Sequence, residues 1–192
     1  MLWGALFVNQ IYSYQVSSED GHITDLSKFE GKVLLIVNTA SKCSYSRQFS
    51  ELEQLYDKYG KQGLEILAFP CDQFNHKEPG NNAEIAEYCK SKFHVTFPMF
   101  DKIEVTGTSM HPLFRYLIEK AAFQGYDLET EEGRRMDHFV RENYPALYRG
   151  DGIKWNFTKF LIRADGEVSD RYETTVEPSM METQIRELLK QR

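Results

Sequence analysis

The chain has 192 residues, 41% of them hydrophobic and 14% aromatic, which is the length and composition of one globular domain and not of a disordered chain. It sets 23 Lys and Arg against 29 Asp and Glu, a net charge of −6, which excludes a nucleic-acid protein held mainly by a basic footprint and argues against docking on an anionic membrane. Three cysteines are too few, and odd in number, for a disulfide-stapled secreted scaffold, so free thiols in a reducing cytoplasm are expected.

Residues 1–8 are apolar but short, without a basic leader or a small-residue cleavage site, so no signal peptide is read there. No apolar run reaches the roughly 20 residues that a spanning helix needs. Disorder is expected over 1–11, and the whole of 1–192 is read as one domain. The continuous apolar run at 33–37 predicts a strand buried on both faces. A polar turn, Ser41-Lys42-Cys43-Ser44, separates it from a helix whose apolar face is Phe49, Leu52, Leu55, Tyr56 and Tyr59. Residues 64–69 form a second buried strand, stopped by Pro70, so 32–69 is a βαβ unit with a parallel pair and a right-handed crossover.

Asn81 or Asn82 caps a second predicted helix with Ile85, Tyr88, Cys89 and Phe93 on one face. A short extended piece follows at 97–100, and a third helix at 111–120. Residues 121–152 are polar and weakly periodic, and are expected to be an insertion or long loop, either functional or an interface. A hairpin is predicted over 157–172 with Asp165-Gly166 at its turn. Ser179 and Glu182 are spaced as a capping box for a last helix. This order of strands and helices is that of an α/β, thioredoxin-like fold with a central mixed β-sheet flanked by helices.

Cys43 is the leading candidate for chemistry. It follows a buried strand and precedes a helix, where helix N–H groups and the dipole favour a thiolate. Cys71, at the end of the second strand, is expected to be a half-buried turn thiol. Cys89 lies on an apolar helix face and reads as core by position, with a resolving thiol for oxidised Cys43 as the functional alternative. The chain has no Cys-x-x-Cys, His-Glu-x-x-His, phosphate-binding loop or dinucleotide fingerprint. No metal is therefore expected. Gln73 and the adjacent Trp155 and Asn156 place neutral N–H donors near strand ends.

At these residues the chain resembles the glutathione peroxidase family in its cysteine-containing, bacterial-type branch. The likeness rests on the stretch from Gly31 to Cys43 and on the one from Leu64 to Phe74 that contains Phe-Pro-Cys-Asp-Gln-Phe. Glu78-Pro-Gly80, Val95 to Phe100, His111-Pro-Leu113 and Trp155-Asn-Phe-Thr-Lys-Phe160 extend it in order along nearly the whole chain. The resemblance implies a peroxidase that reduces hydrogen peroxide and organic hydroperoxides through a Cys43 sulfenic acid, with Gln73, Trp155 and Asn156 completing a catalytic tetrad. It implies no cofactor beyond a reducing co-substrate, thioredoxin or glutathione. A peroxide sensor that relays oxidation to a partner protein needs the same site and is the alternative.

Three features depart from the family's usual pattern. Cys43-Ser-Tyr-Ser46 replaces Cys-Gly-[Phe/Leu]-Thr, and Asp72 stands where many relatives have Asn. Cys89 falls about one residue before the resolving cysteine of the thioredoxin-using members. Homo-oligomerisation is left open by the sequence.

Overall fold

The computed structural model describes residues 10–192, so the apolar start and most of the segment expected to be disordered lie outside the described residues. Ile11, at the end of that segment, is fully buried in a short 3-10 turn over Gln10–Ser13. Strands β1 (Gln15–Ser17) and β2 (Ile23–Asp25) form a small antiparallel hairpin. Then come β3 (Val33–Thr39), α1 (Gln48–Tyr59), β4 (Leu64–Pro70), α2 (Asn82–Phe93), α3 (Pro112–Lys120), α4 (Glu131–Asn143), α5 (Pro145–Tyr148), β5 (Lys159–Ile162), β6 (Val168–Tyr172) and α6 (Glu182–Lys190).

The main sheet has the order β4-β3-β5-β6. Strands β3 and β4 run parallel from Val33↔Leu64 to Thr39↔Pro70, as the βαβ reading requires, while β5 and β6 join antiparallel. Every residue of β3 and β4 is buried, which accounts for their unbroken apolar runs. Helix α1 packs on β4 and α6 on β3. Phe69 of β4 stacks on Phe100 at 4.9 Å between ring centroids and meets Phe114 of α3 edge-on at 5.6 Å. Each such ring contributes roughly 1.5–3 kcal/mol of burial.

The caps follow local chemistry. The Asn81 side chain accepts from Glu84 N while the Glu84 carboxylate accepts from Asn81 N, a full capping box for α2. The capping box expected at Ser179 does not form. Ser179 lies inside a 3-10 turn, Pro178–Met181, that precedes α6, and its N–H donates to Glu51 at 3.0 Å. Residues 121–152 are not an unstructured loop, because α4 and α5 occupy most of them. Thr130 caps α4 by accepting from Gly133 N, and a Cβ at Gly133 would lie 1.9 Å from the Asp127 carbonyl oxygen.

A polar cluster is buried beneath the sheet. The Lys159 ammonium, fully buried, donates to Gln48 Oε1 at 2.8 Å and to the Phe157 carbonyl at 2.7 Å, and Gln48 Nε2 donates to the Thr174 carbonyl. Burial pulls the Lys159 ammonium down to about 7 from 10.5, against the pull of Glu177, Glu173 and Glu51. Between those values the unfolded chain binds more protons at this position than the folded one, so stability rises with pH there by up to about 1.4 kcal/mol per pH unit. Urea unfolding across that window checks this: Lys159→Met loses the rising component, and an unchanged slope in the variant contradicts it.

Candidate active site

Three segments that carry the candidate residues leave the sheet at one end. Strand β3 finishes at Thr39, four residues before Cys43, and β4 finishes at Pro70, one before Cys71. Strand β5 runs antiparallel to β3 with Val37 opposite Lys159, so Trp155 and Asn156, just ahead of β5, fall at that same end. The crossing is bonded. Phe157 N donates to Asn38 O at 2.7 Å, Asn38 Nδ2 to Trp155 O at 3.2 Å, and Thr158 N to Asn38 Oδ1 at 3.1 Å. Cys71 N donates to Thr39 O at 2.9 Å and closes the third edge.

Cys43 is 5% exposed and sits in extended backbone at the N-cap of a 3-10 turn, Ser44–Arg47, that runs directly into α1. Its own N–H donates to Ala40 O at 3.3 Å, and its carbonyl accepts from Ser46 N at 3.0 Å. The turn is held from outside by the loop after β4. Ser41 N and Oγ both donate to the Glu78 carboxylate, and Lys42 N donates to the Lys77 carbonyl at 3.0 Å. Glu78 is 1% exposed, and burial pushes its carboxyl above the usual range while the Ser41 bonds oppose that rise. Residues 41, 42, 78–80, 84, 85 and 88 line a cleft of about 260 Å³ beside the turn.

Trp155 is 6% exposed and ringed by aromatic side chains, with centroids at 5.2 Å to Phe139, 5.4 Å to Tyr144 and 5.8 Å to Phe74. Asn156 is fully buried, yet neither its amide oxygen nor its amide nitrogen has a hydrogen-bond partner among the described residues. An unsatisfied buried amide costs roughly 1–3 kcal/mol and calls for an explanation. The next residue, Phe157, has φ +64°, a left-handed conformation that a bulky side chain rarely adopts and that turns the chain from the Trp155-Asn156 pair into β5.

The Gln73 amide is engaged at both its polar atoms by the 105–106 backbone. Its Oε1 accepts from Val105 N at 2.7 Å and Thr106 N at 3.1 Å, and its Nε2 donates to Thr106 O at 2.9 Å. The Cys71 thiol lies 3.6 Å from the same oxygen. The amide thus staples the loop after β4 to residues 105 and 106. Cys71 is fully buried, more deeply enclosed than a half-buried turn residue, and burial pushes its thiol up to about 11.

Cys89 is fully buried on α2, and burial with the nearby Glu78 charge pushes its thiol up to about 12, against an opposing contribution from Lys42. All three cysteines are free. Among the described residues no group of three or more His, Cys, Asp or Glu is placed to hold a metal, and no helix is long and apolar enough to cross a membrane.

Sequence reasoning passed over four residues that shape this site: Glu78, Tyr45, Phe139 and Tyr144. Glu78 lay within a recognised stretch but carried no visible role. Tyr45 donates to the Glu132 carboxylate of α4, a contact across 87 positions that no local pattern announces.

The mixed sheet and the parallel βαβ start, with Cys43 in the turn just ahead of α1, define a thioredoxin-like α/β protein. The chain belongs to the glutathione peroxidase family and is a peroxidase that reduces hydroperoxides with electrons from thiols. The model of that family, described as "Glutathione peroxidase", matches residues 11–118, which include Cys43, Gln73 and Cys89. The chain is 42% identical over 181 residues to the "Glutathione peroxidase homolog BsaA" of Bacillus subtilis, covering 94% of this chain and 99% of that protein. It is 41% identical over 181 residues to the "Hydroperoxy fatty acid reductase gpx1" of Synechocystis, covering 94% and 96%. The crystal structure of T. cruzi GPX1 superposes with a TM-score of 0.67 at 31% identity, covering 94% of this chain and 96% of that one.

Proposed function

We propose that Cys43 is the peroxidatic residue. Its thiolate attacks one oxygen of the hydroperoxide, the O–O bond breaks, and the other oxygen leaves as water or an alcohol once protonated. Cys43 becomes a sulfenic acid. A reducing thiol attacks that sulfur, releasing water and leaving a mixed disulfide, and a second thiol exchanges to restore Cys43. Both electrons come from the thiols, and no prosthetic group takes part.

The observation that carries this reading is the unpartnered Asn156 amide, buried at the sheet end from which Cys43 also emerges. With the Trp155 indole N–H it supplies neutral donors where sulfur and departing oxygen carry negative charge. Gln73 acts one layer out, by fixing the 105–106 backbone around the loop after β4. Cys89 is core in the folded enzyme: its buried, protonated thiol is a poor nucleophile, and α2 would have to open for it to reach Cys43. The reductant is therefore an external thiol, glutathione or thioredoxin, and the free cysteines suit a reducing, cytoplasmic compartment. Hydrogen peroxide and organic hydroperoxides, the latter in keeping with the fatty-acid hydroperoxide reductase above, are the substrate class.

Steady-state turnover with each reductant, in native protein and Cys89→Ser, tests this. Retained turnover in Cys89→Ser is the expected result. Loss of turnover with thioredoxin in that variant assigns Cys89 as the resolving thiol, and a single stoichiometric oxidation with either reductant points to a sensor.

A further inference from the structure

Helix α4 touches both halves of the site. In its first turn Glu132 accepts from the Tyr45 hydroxyl, two residues past Cys43, and Arg135 donates to the same hydroxyl at 3.2 Å while binding Glu132 at 2.6 Å. Tyr45 is 2% exposed, so this anchor sits on a fixed part of the nucleophile turn. Two turns further along, Phe139 meets the Trp155 indole edge-on, at 5.2 Å and 88°. Tyr144, which caps the helix, closes a second side of the indole at 5.4 Å and contacts Phe139 at 5.7 Å. Glu132, Arg135 and Phe139 lie at i, i+3 and i+7, one stripe of the helix about 10 Å long. That stripe spans from the Cys43 turn to Trp155.

Three aromatic rings flank the Trp155 indole. The Trp155 backbone is bonded through its carbonyl, to Asn38 and Thr158, whereas its ring is held by contact with Phe74, Phe139 and Tyr144. Edge-to-face pairs are directional, worth roughly 0.5–1.5 kcal/mol beyond burial, and so select one ring orientation.

We propose that α4 is a brace across the active site and that Phe139 and Tyr144 are positioning residues that set the Trp155 indole against Cys43. Residues 121–152 thereby act in the peroxidase reaction and are more than an insertion. The inference rests on the reading of Trp155 as a donor.

The test is the rate constant for Cys43 oxidation by hydrogen peroxide in single turnover, in native protein, Phe139→Ala, Trp155→Phe and the double variant. Phe139→Ala is expected to slow oxidation about tenfold, the cost of a misdirected donor, and Phe139→Tyr, which keeps the ring, to restore most of the rate. In the Trp155→Phe background the Phe139 substitution is expected to change nothing further, because its effect passes through the indole. Tyr144→Leu, which removes the other ring against the indole, gives the same pattern if Phe139→Ala folds poorly. With Trp3→Phe, Trp155 is the sole tryptophan, and its fluorescence anisotropy is expected to decay faster when Phe139 is truncated.

Equal slowing by Phe139→Ala in both backgrounds, or none in the native background while Trp155→Phe is slow, overturns the brace alone. A fully active Trp155→Phe overturns the donor reading and the brace with it.

Discussion

Replacing Cys43 with Ser is expected to abolish peroxide turnover and leave the fold intact. A serine hydroxyl stays protonated at neutral pH and does not attack a peroxide oxygen, so consumption falls to the uncatalysed rate of reductant with peroxide, a loss of several orders of magnitude. The fold survives because the position asks little of sulfur. Cys43 is the N-cap of a 3-10 turn in extended backbone, where Ser is a preferred residue, and its own side chain makes no capping bond that Ser would lose. Peroxide consumption and urea unfolding, measured on one preparation, separate the two effects. Turnover within a factor of a few of native contradicts the nucleophile assignment, while unfolding of the variant contradicts the account of the turn.

The largest stability effect is expected at Arg171. Its Nε donates to the Glu173 carboxylate at 2.6 Å, with the two side chains 3% and 8% exposed. The same guanidinium donates to the carbonyls of Asp151 and Gly152, and it lies 5.6 Å from the Phe123 and Phe160 rings, so it joins β6 to the end of the α4–α5 segment. Arg171→Met leaves Glu173 buried without its partner and is expected to cost about 3–5 kcal/mol. Arg171→Lys recovers only part of this, because an ammonium cannot reproduce the fork.

The pH dependence has a defined sign. Burial already holds the Glu173 carboxyl above 4.5, with the Arg171 charge the first of the forces opposing that rise. Without Arg171 the folded carboxyl rises further, so the gap between native and variant opens as pH climbs past the native folded value and narrows as pH falls below it, where Glu173 is protonated in both folded proteins. Urea midpoints of native and variant protein are expected to converge at low pH. A gap independent of pH contradicts the role given to the charge.

The parts of the fold written in local pattern were the parts that sequence predicted well. The runs at 33–37 and 64–69, the Asn81 cap and the Asp165-Gly166 turn became β3, β4, α2 and the β5–β6 hairpin because each is decided by neighbours in the chain. The Ser179 pattern failed because a proline at 178 and the Glu51 carboxylate draw that segment into a 3-10 turn. The weak periodicity of 121–152 hid α4, whose apolar face is confined to Met136, Phe139 and Val140 among charged residues.

Among the candidate residues, Cys43 stands out from its place between strand and helix. Trp155 and Asn156 needed the family resemblance. The engagement of Gln73 with residues 105 and 106, and the clasp of Tyr45 on Glu132, arise from contacts between distant segments and leave no mark in spacing.

The most direct test of the central claim is mass spectrometry of the reduced protein after one equivalent of hydrogen peroxide, with a sulfenic-acid trap present. The predicted result is a trapped sulfenic acid on Cys43, with Cys71 and Cys89 unmodified. An unmodified Cys43, or modification first at either buried thiol, contradicts the assignment of Cys43 as the residue that meets the peroxide.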